Sequence, residues 1–242
     1  MEKIFNKDFK IKTFGIGWWF YILLTILALF IVTKVGNKYD LDTRRNIVMY
    51  LSIIELIVLR LYKFSLRYAR YEYNFFNELP CYLCNQSTIL CIVAAYLNNQ
   101  VLMSYCLTAG TVGAFLALFM PDKMYIDLPF YSGQAIGFYG YHSLLVVTCL
   151  SFYTLGLYEV RLKDSLWVTF IVFILACFAH VLNYVLRKTN LCPNANYIFT
   201  YYPDNFILEK FYEWFPCKLL YMLPAIPIIG VLSFIILFVL NK

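Results

Sequence analysis

Charged side chains are scarce in this chain. Asp, Glu, Lys and Arg make up 14% of its 242 residues, 62% are hydrophobic, and the mean hydropathy is +0.68. That balance excludes a soluble globular domain. A long linker, an internal repeat and a low-complexity tract are all missing. This excludes a repeat array and leaves one domain over residues 1–242. The first apolar run is closed by Lys34 and not by a small-residue cleavage site, so it reads as a retained membrane helix and not as a cleaved signal. Histidine occurs twice, which limits imidazole chemistry to His142 and His180.

What is present is a series of long apolar segments. A hydrocarbon core of roughly 30 Å needs about 20 residues of helix, and backbone groups in lipid must be satisfied within the segment. The expected fold is therefore all-α, a polytopic membrane protein built as a single bundle of seven transmembrane helices. They are expected at about 15–33, 47–65, 80–97, 101–120, 137–158, 166–186 and 219–240. Basic residues set the orientation. One side collects Lys3, Lys7, Lys10, Lys12, Arg60, Lys63, Arg67, Arg70, Lys123, Arg187, Lys188, Lys210 and Lys218, more than the other, which favours a cytoplasmic N-terminus. These flanks also account for the net charge of +6, so no nucleic-acid partner is called for.

With seven crossings, the starts of the third and fifth helices, the end of the sixth and the connection 187–218 emerge on one side. Cys81, His142 and Asn183 are thereby expected at one membrane face. Pro80 suits a first helical turn, where its missing N–H costs nothing. Cys81 would then sit in the partial positive charge of the helix start, which favours thiolate. Glu78 opposes this if ionised nearby, or helps if it orients a histidine. The plain alternative for Cys81 is packing as a small apolar residue.

Other residues carry paired readings. Cys81-x-x-Cys84 is a dithiol or, with Cys192 and Cys217, half a metal site. Cys91, Cys106, Cys149 and Cys177 show that cysteine is also used for packing. Glu55 lies mid-membrane, where a carboxylate is expensive, and is either catalytic or headgroup-binding, or a buried structural hydrogen bond. His180 reads as an interior polar contact. Ala109, Gly113 and Ala117 form a close-packing face, and Pro224 and Pro227 a kink. The connection 187–218, with Asn194, Asn196, Tyr197, Tyr201, Tyr202 and Asp204, is either a lid over a site or an interfacial aromatic belt.

In series these pieces resemble a family. Leu79-Pro-Cys-Tyr-Leu-Cys84 is similar to the Leu-Pro-Leu-His-Leu-Cys element of bacterial YwaF-like integral membrane proteins. The run from Gly110 to Asp122 is similar to their fourth-helix signature. His142, Leu182-Asn183 and Asn196-Tyr197 follow in the same order, and the resemblance covers roughly Leu79 to Leu223. The eukaryotic branch, transmembrane protein 164, has Asn-Pro-Cys-His at the first of these places and Gln-His at the later one. This chain departs from both branches at Tyr82, where each has histidine.

The eukaryotic branch is a cysteine-dependent acyltransferase acting between phospholipids. The resemblance therefore implies Cys81 as nucleophile, because it directly follows the proline, and His142 as its general base and acid. Cys84, the bacterial-type cysteine, is the second candidate nucleophile. Glu55, Glu78, Asn183, Asn196 and Tyr197 are expected as supporting or substrate-binding residues. The partners implied are a membrane phospholipid as acyl donor and a lyso-lipid or other acceptor, with no metal and no cofactor, in a bacterial cell membrane. Two other classes stay open: a small-molecule transporter or substrate-binding membrane subunit, and a membrane thiol oxidoreductase using Cys81 and Cys84.

Overall fold

The computed structural model describes residues 10–70, 75–77, 79–121, 125–203 and 206–242. Lys3, Lys7, Glu78, Asp122, Lys123 and Asp204 lie outside them. In chain order the elements are β1 (Lys10–Ile11), α1 (Ile16–Gly36), α2 (Leu41–Arg70), α3 (Leu83–Leu97), α4 (Gln100–Tyr105), α5 (Thr111–Phe119), β2 (Leu128–Pro129), α6 (Gly133–Ala135), α7 (Tyr141–Thr154), α8 (Asp164–Lys188), α9 (Phe206–Trp214) and α10 (Ala225–Leu240). β1 and β2 make one antiparallel contact, with Ile11 opposite Leu128.

The all-α expectation holds, and helix covers most of each of the seven expected segments, though not residues 80–82 or 155–158, and the count of seven crossings is not matched. Among the described residues, five stretches are long and apolar enough to cross a membrane: Ile16–Gly36, Gln100–Phe119, Gly133–Thr154, Asp164–Lys188 and Leu220–Leu240. The other two differ for clear reasons. α2 is interrupted by Arg44, Arg45, Glu55, Arg60 and Lys63. α3 has 15 residues, about 22 Å at a rise of about 1.5 Å per residue.

Two compact units divide the chain, Met1–Tyr73 with Ser87–Glu159 and Asn74–Gln86 with Val160–Lys242, and the division falls inside α3. In the first unit α7 is central, packed by α1, α2 and α5. Arg44 ties the α1–α2 connection to the end of α7, donating to the carbonyls of Tyr39, Leu155 and Asn37 at 2.8, 2.9 and 3.0 Å. Asp40 caps α2 by accepting from the Thr43 N–H and hydroxyl at 2.9 and 2.8 Å. Those bonds hold its carboxyl below the ordinary carboxylate range. Gly36 permits the closest approach of α1 to the end of α7, since a Cβ there would lie 2.6 Å from Leu155 Cδ2. α7 stops at Thr154 because Gly156, at φ +68°, turns the chain left-handed, and the Leu157 N–H closes on the Phe152 carbonyl at 3.0 Å.

Two helical runs contain a π-helical turn, at Cys106–Gly110 between α4 and α5 and at Ile136–Gly140 between α6 and α7. The first moves the packing face by one residue. Ala109 is buried as expected, but beyond it Gly110, Ala114 and Leu118 are buried while Gly113 and Ala117 are half-buried, which corrects the expected stripe at its last two positions. In the second unit α8 packs on α10. Pro224 is the N-cap of α10 and Pro227 lies in its first turn, so both prolines start this helix instead of kinking it. The connection 187–218 is not one loop, because it contains α9 and a 3-10 turn at Tyr197–Phe199.

Candidate functional site

Cys81, Cys84, Asn183, Asn196 and Tyr197 belong to the second unit, and Glu55 and His142 to the first. In the second unit the helix start differs from expectation. The Cys81 N–H turns back to the Leu79 carbonyl at 2.7 Å, and the first helical bond runs from the Gln86 N–H to the Tyr82 carbonyl at 3.0 Å. α3 therefore begins at Leu83, two residues beyond Cys81, and the partial positive charge of the first turn falls on Cys84. Cys81 is half-buried and packs against the apolar core of this unit, a cluster that includes Tyr197, Cys192 and Ala195. The Gln86 side-chain amide donates to the Cys81 carbonyl at 3.2 Å, while its buried Oε1 has no partner among the described residues.

Asn183 and Asn196 organise the segment that faces this core. The Asn183 amide donates to the Tyr197 carbonyl and the Thr200 hydroxyl, both at 2.9 Å, and its Oδ1 accepts from the Tyr197 N–H at 2.8 Å. Asn196 Oδ1 accepts from the N–H groups of Tyr201 and Tyr202 at 3.1 and 3.2 Å. Between them Ile198 and Phe199 are held at φ +52° and +57°, a left-handed conformation that costs a side-chain-bearing residue about 1–3 kcal/mol and persists only where the surroundings enforce it. The Tyr197 hydroxyl donates to the Phe76 carbonyl. Burial, and then the neighbouring Tyr82, pushes that phenol up, so it stays protonated. Tyr82 packs edge-on against the Tyr197 ring at 5.0 Å, an aromatic packing role.

His180 places Nδ1 3.3 Å from the Thr200 hydroxyl and stacks on Tyr201 at 5.0 Å, the interior polar contact expected of it. His180, Asn183 and Arg187 follow one another at i, i+3 and i+7, a polar stripe along α8. Sequence reasoning missed Arg187 and Thr200 as partners of this stripe, although the spacing of the first two was visible.

In the first unit Glu55 is fully buried. Its Oε1 accepts from the Thr88 hydroxyl at 2.5 Å, Thr88 lies 2.7 Å from the Tyr141 hydroxyl, and Oε2 has no partner among the described residues. Thr88 and Tyr141 were not foreseen, and only the adjacency of Tyr141 to His142 pointed to them. His142 is buried at the junction of the π-helical turn and α7, with Nδ1 2.7 Å from the Phe138 carbonyl. A carbonyl only accepts, so Nδ1 carries a proton, and in the neutral form of the ring the lone pair is at Nε2. Cys91 and Cys149 place their sulfurs 3.7 Å apart in the interior of the same unit. Among the described residues no three His, Cys, Asp or Glu side chains are grouped to hold a metal ion.

The model of the TMEM164 family matches residues 11–239, a span that contains every candidate residue named above. No curated protein and no solved structure matches the chain. The family match and the five apolar helices make this an integral membrane protein.

Proposed function

The chain belongs to the TMEM164 family, and from that premise we propose that it is a membrane acyltransferase which moves a fatty acyl chain from a phospholipid to a lyso-lipid or similar acceptor through a cysteine thioester. The observation that carries the reading is His142. A ring whose Nδ1 proton is committed to a backbone carbonyl is oriented and tautomerically defined, as a general base requires. Cys81 is the nucleophile and Cys84 the second candidate.

The chemistry has two balanced steps. His142 Nε2 takes the thiol proton, the sulfur adds to the ester carbonyl, and the lyso-phospholipid leaves with that proton returned to its oxygen. In the second step His142 removes a proton from the acceptor hydroxyl, whose oxygen attacks the thioester, and the thiol is regenerated as acylated acceptor leaves. First-turn N–H groups of α3, which have no intrahelical partners, are the candidate donors to the oxyanion. Seven crossings with a cytoplasmic N-terminus, in a bacterial membrane, complete the reading. Its support is the basic-residue bias and helix over most of each of the seven segments.

The test is exchange of a labelled acyl chain between phospholipid and lyso-phospholipid by the purified protein. Cys81→Ala abolishes exchange, and His142→Gln lowers it by about 10²–10⁴-fold, the usual contribution of a positioned acid–base group. Full turnover in Cys81→Ala and Cys84→Ala alike would refute the thioester. Undiminished substrate handling in Cys81→Ser would favour the transporter or binding-subunit class instead.

A further inference from the structure

The cytoplasm-or-exterior end of α8 gathers positive charge around one aromatic platform. Tyr201 is buried and lies beneath the Arg187 guanidinium at 4.6 Å and the Lys218 ammonium at 4.5 Å from its centroid, with Tyr202 also 4.9 Å from Arg187. His180 stacks on the same ring. The platform is rigid, because Asn196 holds the N–H groups of both tyrosines and donates to the Tyr202 carbonyl at 3.0 Å. Arg187 is itself fixed, its Nε donating to the Ala195 carbonyl at 2.6 Å.

Cation–π contact uses the ring faces but leaves the N–H donors of these cations free. Among the described residues no carboxylate pairs with Arg187 or Lys218. Ion pairs found elsewhere include Arg45 with Asp42 and Lys210 with Glu213. Two permanent cations, each within 4.6 Å of the centroid of one ring, make the local potential positive, and a bound anion lowers it. A guanidinium anchored through Nε still offers its terminal nitrogens, which suit the oxygens of a phosphate, and the lysine adds a point charge.

We propose that Arg187 and Lys218, set on Tyr201 and Tyr202, form a binding site for the phosphate of an anionic lipid headgroup. Arg187 is in the last turn of a membrane-spanning helix, where basic residues meet headgroups. A zwitterionic headgroup brings its own cation and gains less from a site with no carboxylate among the described residues. The site rests on no acyl-transfer step.

The test is native mass spectrometry of the full chain in detergent with equal amounts of dioleoylphosphatidylglycerol and dioleoylphosphatidylcholine. The wild type retains phosphatidylglycerol in preference. Lys218→Gln, which removes no hydrogen bond between described residues, lowers that preference about five-fold, the effect of one basic residue at a headgroup. Arg187→Gln with Lys218→Gln brings it to parity, and Lys210→Gln leaves it unchanged. A wild-type ratio near one, or an unchanged ratio in Lys218→Gln, would overturn the proposal. Inorganic phosphate added at millimolar concentration separates the sources. Displacement of phosphatidylglycerol from the wild type supports a phosphate site that free anion also fills, and failure to displace it supports a lipid-borne phosphate. Cys81→Ala keeps the wild-type lipid ratio, so failure of the thioester reading and failure of this site are read independently.

Discussion

Asn183→Ala strikes the point where α8 holds the segment of Tyr197 and Thr200. Asn183 is fully buried, and its removal leaves the N–H and C=O of Tyr197 without the bonds they make at 2.8 and 2.9 Å. Each such buried group costs about 1–3 kcal/mol when orphaned, so the direct loss is about 2–6 kcal/mol. Part of it is recovered as one of the two left-handed residues, Ile198 or Phe199, relaxes, which is worth about 1–3 kcal/mol. A net loss of about 2 kcal/mol follows, or about 4–8 °C in apparent melting temperature for a chain of this size. The assay is thermal unfolding in detergent followed by tryptophan fluorescence, with limited proteolysis between 196 and 202 as the local readout. Asn183→Asp keeps the acceptor for the Tyr197 N–H but turns a second oxygen toward its carbonyl, so it destabilises at least as much despite its equal size. Asn194→Ala, at an exposed position, is the control. If Asn183→Ala melts within about 1 °C of that control and is cleaved no faster, the clamp is not what holds the segment.

Two further outcomes follow from the first unit. Gly36→Ala drives a methyl into Leu155 and lowers stability by about 1–3 kcal/mol, whereas Gly140→Ala, with open space at its Cβ, is neutral or stabilising by up to about 1 kcal/mol; the paired melting temperatures decide. Asp40 has its folded pKa depressed by the Thr43 bonds, so its cap contributes fully above the ordinary carboxylate pKa and is lost as pH falls through the lower folded value. The melting difference between wild type and Asp40→Asn should therefore shrink on acidification below pH about 4, and a difference that stays constant would contradict the cap.

Much of this was legible because apolar runs in a membrane chain have few alternatives to helix. The positions of α1, α8 and α10 follow from composition alone, and Asn183 was legible as a polar residue that an apolar helix must satisfy. The start of α3 was not, because Pro80 suits a first turn by itself, and only the turn of the Cys81 N–H onto Leu79 moves the helix on to Leu83. The π-helical turns leave no compositional mark, yet one extra residue at Cys106–Gly110 shifts the buried face from Gly113 to Ala114. Arg187 and Lys218 read as flanking charges, since their common partner Tyr201 lies 14 residues from one and 17 from the other.

The thioester is the central claim, and intact-mass measurement after incubation with phospholipid tests it most directly. The account predicts a species heavier by one acyl group less a hydrogen, removed by hydroxylamine at neutral pH, present in wild type and Cys84→Ala and missing in Cys81→Ala. An unmodified mass under turnover conditions, or an adduct that survives Cys81→Ala, would contradict it.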